Sequence, residues 1–144
     1  MDKWKEGLYM SYTVLMYHEI RNENEQVGDN PIDVNNQYED ILPTPLYSAL
    51  KGFEVQMDYL HNEGYYFLRL NEIKEYHEGR LQLPEKSVLV SFDDAYQSVL
   101  EYAYPILKKY NIKASMFVVS GWLQDVAASY DDKKSITLTY EQLL

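Results

Sequence analysis

Short apolar runs punctuate an otherwise polar chain, and they predict its strands. Thr13–Tyr17 ("TVLMY") starts on a β-branched residue and reads as a buried strand. Residues 65–70 ("YYFLRL"), 87–92 ("SVLVSF") and 113–120 ("KASMFVVS") read as three more, with 87–92 the most apolar of them. Between the runs the spacing changes to that of helices. Phe53, Met57 and Leu60 fall on one face, with Ser48 placed to cap and Gly64 to stop, which predicts a helix over 48–62. Asn71 and Gly79 frame a short helix, "EIKEYHE". A third helix is expected from about Tyr96 to Tyr110, with Pro105 kinking or restarting it.

Two stretches carry no steady period and read as loops: 21–45, rich in Asn, Asp, Glu and Pro, and "QDVAASYDDKKS" near the end. The acids of the first lack the spacing of an EF-hand calcium loop. Thr139, followed three residues later by Gln142, is a capping box that opens a helix at the chain end. A helix of barely one turn cannot hold itself, so the domain is expected to continue past Leu144. Strands alternating with helices argue for an α/β fold with parallel strands. Consecutive apolar residues in 87–92 and 115–119 fit a sheet covered on both faces or closed into a barrel. Four core strands make only part of a barrel, so an exposed apolar seam prone to association is expected beside 113–119.

Composition narrows the function. A chain of 144 residues fits one domain, and a hydrophobic share of 46% suffices for a core. The formal net charge of −10 repels phosphate backbones and argues against nucleic acid as a partner. The absence of cysteine excludes disulfides, thiolate metal sites and a cysteine nucleophile. The opening "MDKWKEGLYMSYTVLMYHEI" does not read as a signal peptide, and no run is long enough for a membrane helix. Tyrosine is abundant, and its simplest role is to fill a core and surface poor in Phe; stacking on sugar rings is the alternative.

The candidate chemistry lies at strand ends, where α/β folds with parallel strands gather functional residues. The first strand ends in Tyr17-His18 and the strand at 87–92 in Asp93-Asp94. Neighbouring residues of a regular strand point to opposite faces. The two carboxylates can therefore address one site only if the backbone turns between strand and helix. A bound cation would favour both ionised forms, with one carboxylate as ligand and the other as base. The bland readings are a helix N-cap followed by a first-turn acid, and a hydrogen-bonded structural histidine. His61 and His77 lie on helix ends among polar neighbours and read as surface residues.

The ordered set "VLMYHEI", "FEVQMDYLHNEGYYFLRLNEI", "LPEKSVLVSFDDAYQSVLEYAYPILKKYNIKASMFVVSGWL" and "LTYEQL" resembles the NodB-type polysaccharide deacetylases, carbohydrate esterase family 4. Its closest flavour is the branch acting on poly-N-acetylglucosamine of biofilms. The resemblance spans residues 13–144, leaving 1–12 as an N-terminal extension. It implies a distorted (β/α) barrel that hydrolyses the N-acetyl groups of a polysaccharide. By that resemblance Asp93 would be the catalytic base, Asp94 a metal ligand and His18 the general acid. The metal would be divalent, zinc first, with cobalt, nickel or manganese as alternatives.

The family usually has Gly where this chain has Ala95, a departure that bears on the local backbone. A His-rich motif supplying further metal ligands and an Arg-Pro-Tyr motif are also implied, and neither occurs in these 144 residues. The chain alone is therefore expected to be inactive or nearly so. Relatives of this kind work at or outside the cell surface. The rivals are a non-catalytic glycan-binding or decayed module, and a phosphorelay receiver, which would want its acidic pair after the first strand.

Overall fold

The computed structural model describes residues 12–24, 32–43 and 45–144. The expected N-terminal extension, residues 1–12, lies outside them except for Tyr12. The central strand β6, Ser87–Asp93, is buried along its length until Asp93. It pairs in parallel with β1, Thr13–Tyr17, on one edge. On the other edge it pairs with β5, Tyr66–Phe67, at its start and with β7, Ala114–Phe117, at its end. Val88 is matched to both Thr13 and Phe67, and Phe92 to both Tyr17 and Met116, so β5 and β7 share the edge opposite β1.

The period of two divides β6 between two faces. Val88, Val90 and Phe92 pack with Tyr17, with Phe53, Met57 and Leu60 of helix α1 (Leu50–Asn62), and with Ile106 and Leu107 of α3 (Tyr104–Lys109). Burying the three α1 side chains contributes about 1.5–3 kcal/mol each. Leu89 faces the other way, with Leu68 and Leu83. On that second face β1 leaves Val14 50% and Met16 61% exposed, and β7 leaves Phe117 46% exposed. These residues form the apolar seam expected beside β7, and it extends across to β1.

Several boundaries differ from the sequence expectation. The first long helix starts at Leu50 with Ala49 as N-cap, because Ser48 belongs to β4 (Tyr47–Ala49). Helix α2 starts at Leu70 and ends at His77, so Asn71 lies inside it; Glu72 accepts the backbone N–H of the N-cap Arg69 at 2.8 Å. After β6 the chain winds as a π-helical turn, Val99–Ala103, before the α-helix restarts at Tyr104. Pro105 has no N–H to donate back to Glu101, and the π turn absorbs that break in the ladder.

The stretch 21–45 is not simply a loop. β2, Glu19–Arg21, pairs with β4, and β3, Ile32–Asp33, pairs with β8, Ser135–Ile136. Helix α4, Tyr140–Leu143, carries the predicted capping box: Gln142 N–H donates to the Thr139 hydroxyl at 3.2 Å, and Thr139 N–H donates to the Gln142 side chain at 2.9 Å. Thr139→Ala is expected to destabilise the chain by about 1 kcal/mol, read as a lower urea midpoint at unchanged slope.

Candidate active site

The pairing of β1 with β6 positions the site. Tyr17 is matched to Phe92, so the next residues on the two strands, His18 and Asp93, are neighbours across the sheet. Tyr17 and Phe92 point into the helix-covered core, their rings 5.6 Å apart. Alternation then turns Asp93 onto the opposite face, and His18 lies one residue past the end of β1. On its other side Asp93 is matched to Phe117.

Asp94 would ordinarily face the core. It does not continue the strand: its φ is 69° and that of Ala95 is 56°, both in the left-handed region. Two such residues in succession end the pleat, while Asp94 N–H stays tied to the Phe117 carbonyl at 2.9 Å. Leu138 N–H donates to the Ala95 carbonyl at 2.8 Å and holds the turn from the other side. A left-handed residue other than glycine carries strain of about 1–2 kcal/mol. The Gly usual in the family would relieve that strain at Ala95, so this chain keeps the conformation without the residue best suited to it.

His18 and Asp93 both act on the Asp94 carboxyl. Burial holds the Asp94 carboxyl above its ordinary range; His18 beside it pulls the other way, Asp93 adds to the rise, and a hydrogen bond from Tyr96 opposes it. Sequence reasoning missed Tyr96. It is 1% exposed, packed with Ile32 and Trp122, and its own pKa is pushed up, first by burial. Its only sequence signal is its place two residues after the acidic pair.

A charge that folding desolvates destabilises the fold. Because Asp94 is raised above the ordinary 3.8, its penalty is absent below 3.8 and appears as the pH rises through the interval up to the raised value. Asp94→Asn is therefore expected to raise the urea midpoint of the metal-free chain at neutral pH. That advantage should vanish below the ordinary carboxylate range.

A divalent cation is less well served. Among the described residues no three His, Cys, Asp or Glu side chains converge to hold a metal ion. Asp94 offers one donor, and catalytic zinc uses three protein ligands. These residues do not by themselves make a metal site. His61 and His77 stand apart, His61 against Tyr110 and His77 against Tyr12 and Tyr76.

Fold and strand-end cluster together define an α/β architecture that gathers polar side chains at the carboxyl ends of its parallel strands. The sequence profile of the polysaccharide deacetylase family matches residues 80–141. A poly-beta-1,6-N-acetyl-D-glucosamine N-deacetylase of Staphylococcus aureus is 35% identical over 120 residues, 83% of this chain and 38% of that protein. The structure of a de-N-acetylase from Aggregatibacter actinomycetemcomitans aligns at a TM-score of 0.62 and 28% identity, covering 92% of this chain and 48% of that one. IcaB from Ammonifex degensii aligns at 0.62 and 29% identity, covering 92% and 46%. The chain belongs to the NodB-type polysaccharide deacetylase family. It spans less than half the length of these three relatives.

Proposed function

We propose that this chain carries the acid–base part of a metal-dependent hydrolase that removes N-acetyl groups from a glycan of the poly-N-acetylglucosamine type. The observation that carries this is that His18 and Asp93 directly follow the matched pair Tyr17 and Phe92 at the ends of β1 and β6, with the strand broken at Asp94 by its left-handed backbone. Asp93 takes a proton from the attacking water as its oxygen bonds to the acetamide carbon. His18 gives a proton to the amide nitrogen as the C–N bond breaks, so that the sugar leaves as an amine and the acyl group as acetate. Each positioned proton transfer contributes about 10²–10⁴ in rate.

Asp94 is one donor to a divalent cation, zinc first, whose other donors must be supplied in addition to it. No described helix is long and apolar enough to cross a membrane. Since one relative is named as a poly-beta-1,6-N-acetyl-D-glucosamine N-deacetylase, a polysaccharide of that kind at or outside the cell surface is the expected partner.

The test is acetate release from a β-1,6-linked N-acetylglucosamine oligomer with zinc added. The product of the complete reading frame is expected to release acetate, and the 144-residue chain little or none. No release by the former would favour the second reading, a glycan-binding or decayed module. Asp93-dependent release by the 144-residue chain would show that its own donors suffice.

A further inference from the structure

A cavity of about 640 Å³ opens between the end of β2, the π turn and the 129–132 loop, and none of its lining residues belongs to the strand-end cluster. Asn22, Tyr102, Tyr130, Asp131 and Asp132 line it. Its size is that of a small-molecule site. Its lining is mixed in a particular way: two aromatic rings set edge to face, centroids 5.4 Å apart, beside a side-chain amide and two carboxylates.

The loop is held in place from below. The guanidinium of Arg21, 1% exposed, donates to the Tyr130 hydroxyl at 3.0 Å and to the Asp132 and Lys134 carbonyls at 3.3 and 2.5 Å. Gln97, also buried, donates to the Ala128 carbonyl at 2.5 Å, one residue before the loop. A buried ion pair contributes little net stability, and fixing a surface is a use for which it is well suited. Tyr102 also packs against the helix-covered core, so the cavity opens at the edge of that layer. Asn22 follows His18 by four residues, so the two are at most about 14 Å apart.

We infer that this cavity is a second glycan subsite that holds a deacetylated, cationic glucosamine unit of the same chain whose acetamide lies at the strand-end cluster. The apolar face of a sugar ring packs on Tyr130 or Tyr102, its hydroxyls meet Asn22, and its ammonium is drawn by Asp131, Asp132 and the tyrosine rings. A neutral N-acetylglucosamine unit offers the carboxylates no charge, so the subsite discriminates by what the enzyme has already done to the polymer. This rests on the proposed deacetylase reading, and deepens it: partly deacetylated chains are retained over untouched ones.

The experiment uses the product of the complete reading frame with Asp93→Asn, which removes turnover, and compares a glucosamine tetramer with its N-acetylated counterpart by calorimetry. The glucosamine tetramer is expected to bind at least about 10-fold more tightly, the equivalent of about 1.4 kcal/mol, and to weaken as salt is raised. Asp131→Asn with Asp132→Asn should erase the preference, and Tyr130→Ala should weaken both ligands. The two asparagines leave the loop's backbone bonds to Arg21 intact, so an unchanged melting midpoint accompanies the expected loss. Equal affinity for the two tetramers, a preference untouched by the double variant, or no binding of either would overturn the inference. Acetate release by the wild type is scored separately: release with no effect of the double variant sinks the subsite alone. A preference that depends on Asp131 and Asp132, without any release, sinks the deacetylase reading alone.

Discussion

Asp93→Asn in the product of the complete reading frame is expected to lower kcat/KM for acetate release by about 10²–10⁴ while leaving KM nearly unchanged. The substitution keeps the size and hydrogen-bonding outline of the side chain and removes only its ability to take a proton. Nothing in the packing should shift, because Asp93 is the half-exposed last residue of β6 and points away from the helix-covered core. On the proposed mechanism His18→Gln should produce a loss of the same class, since His18, which follows the Tyr17 matched to Phe92, gives the other proton. The double variant should be little worse than the more damaging single, as groups acting on one transition state are not additive. An Asp93→Asn variant with more than a tenth of wild-type kcat/KM would remove Asp93 from the mechanism.

Arg21→Ala is expected to destabilise the chain by about 3–5 kcal/mol, a large part of the roughly 5–15 kcal/mol that holds a domain folded. The Arg21 guanidinium grips Glu19 through two bonds, Nη2 to Oε1 at 2.8 Å and Nε to Oε2 at 3.2 Å, with both side chains 1% exposed. The Ser135 hydroxyl donates to Glu19 at 2.9 Å as well. Removing the arginine strands a carboxylate away from water, which is the expensive half of the change. Glu19→Leu with Arg21→Met should regain much of the lost stability, because two apolar groups leave no orphaned charge. Urea midpoints of the wild type, Glu19→Leu, Arg21→Met and the double carrying both close the cycle. A loss below about 1 kcal/mol for Arg21→Ala would mean that solvent reaches the pair.

Much of the frame was legible in the chain. β6 announces itself as consecutive apolar residues because both of its faces are covered, β1 and β7 through the apolar runs that pair with it, and α1 through Phe53, Met57 and Leu60. The Asp93-Asp94 pair, and the condition that the backbone must turn between them, could also be read, and the left-handed φ values at Asp94 and Ala95 supply that turn.

What could not be read has a common physical cause: long range. β3 has two residues and owes its existence to β8, about a hundred residues away. Glu19 and Arg21 look like the start of a polar loop in hydropathy, and their burial goes with partners distant in sequence, Tyr130, Asp132, Lys134 and Ser135, as well as with their mutual pairing. Tyrosine was read as core filling. Tyr17 and Tyr96 fit that role, whereas Tyr102 and Tyr130 line a cavity, a difference no local pattern records.

The division of labour between the adjacent aspartates is the central claim, and a zinc titration of acetate release tests it most directly. In the product of the complete reading frame, Asp94→Asn is predicted to raise the half-saturating zinc concentration by at least about 10-fold. Asp93→Asn is predicted to leave that concentration near the wild-type value and to lose turnover even at saturation. An Asp94 variant with the wild-type zinc requirement, or an Asp93 variant whose turnover returns as zinc is added, would contradict the account.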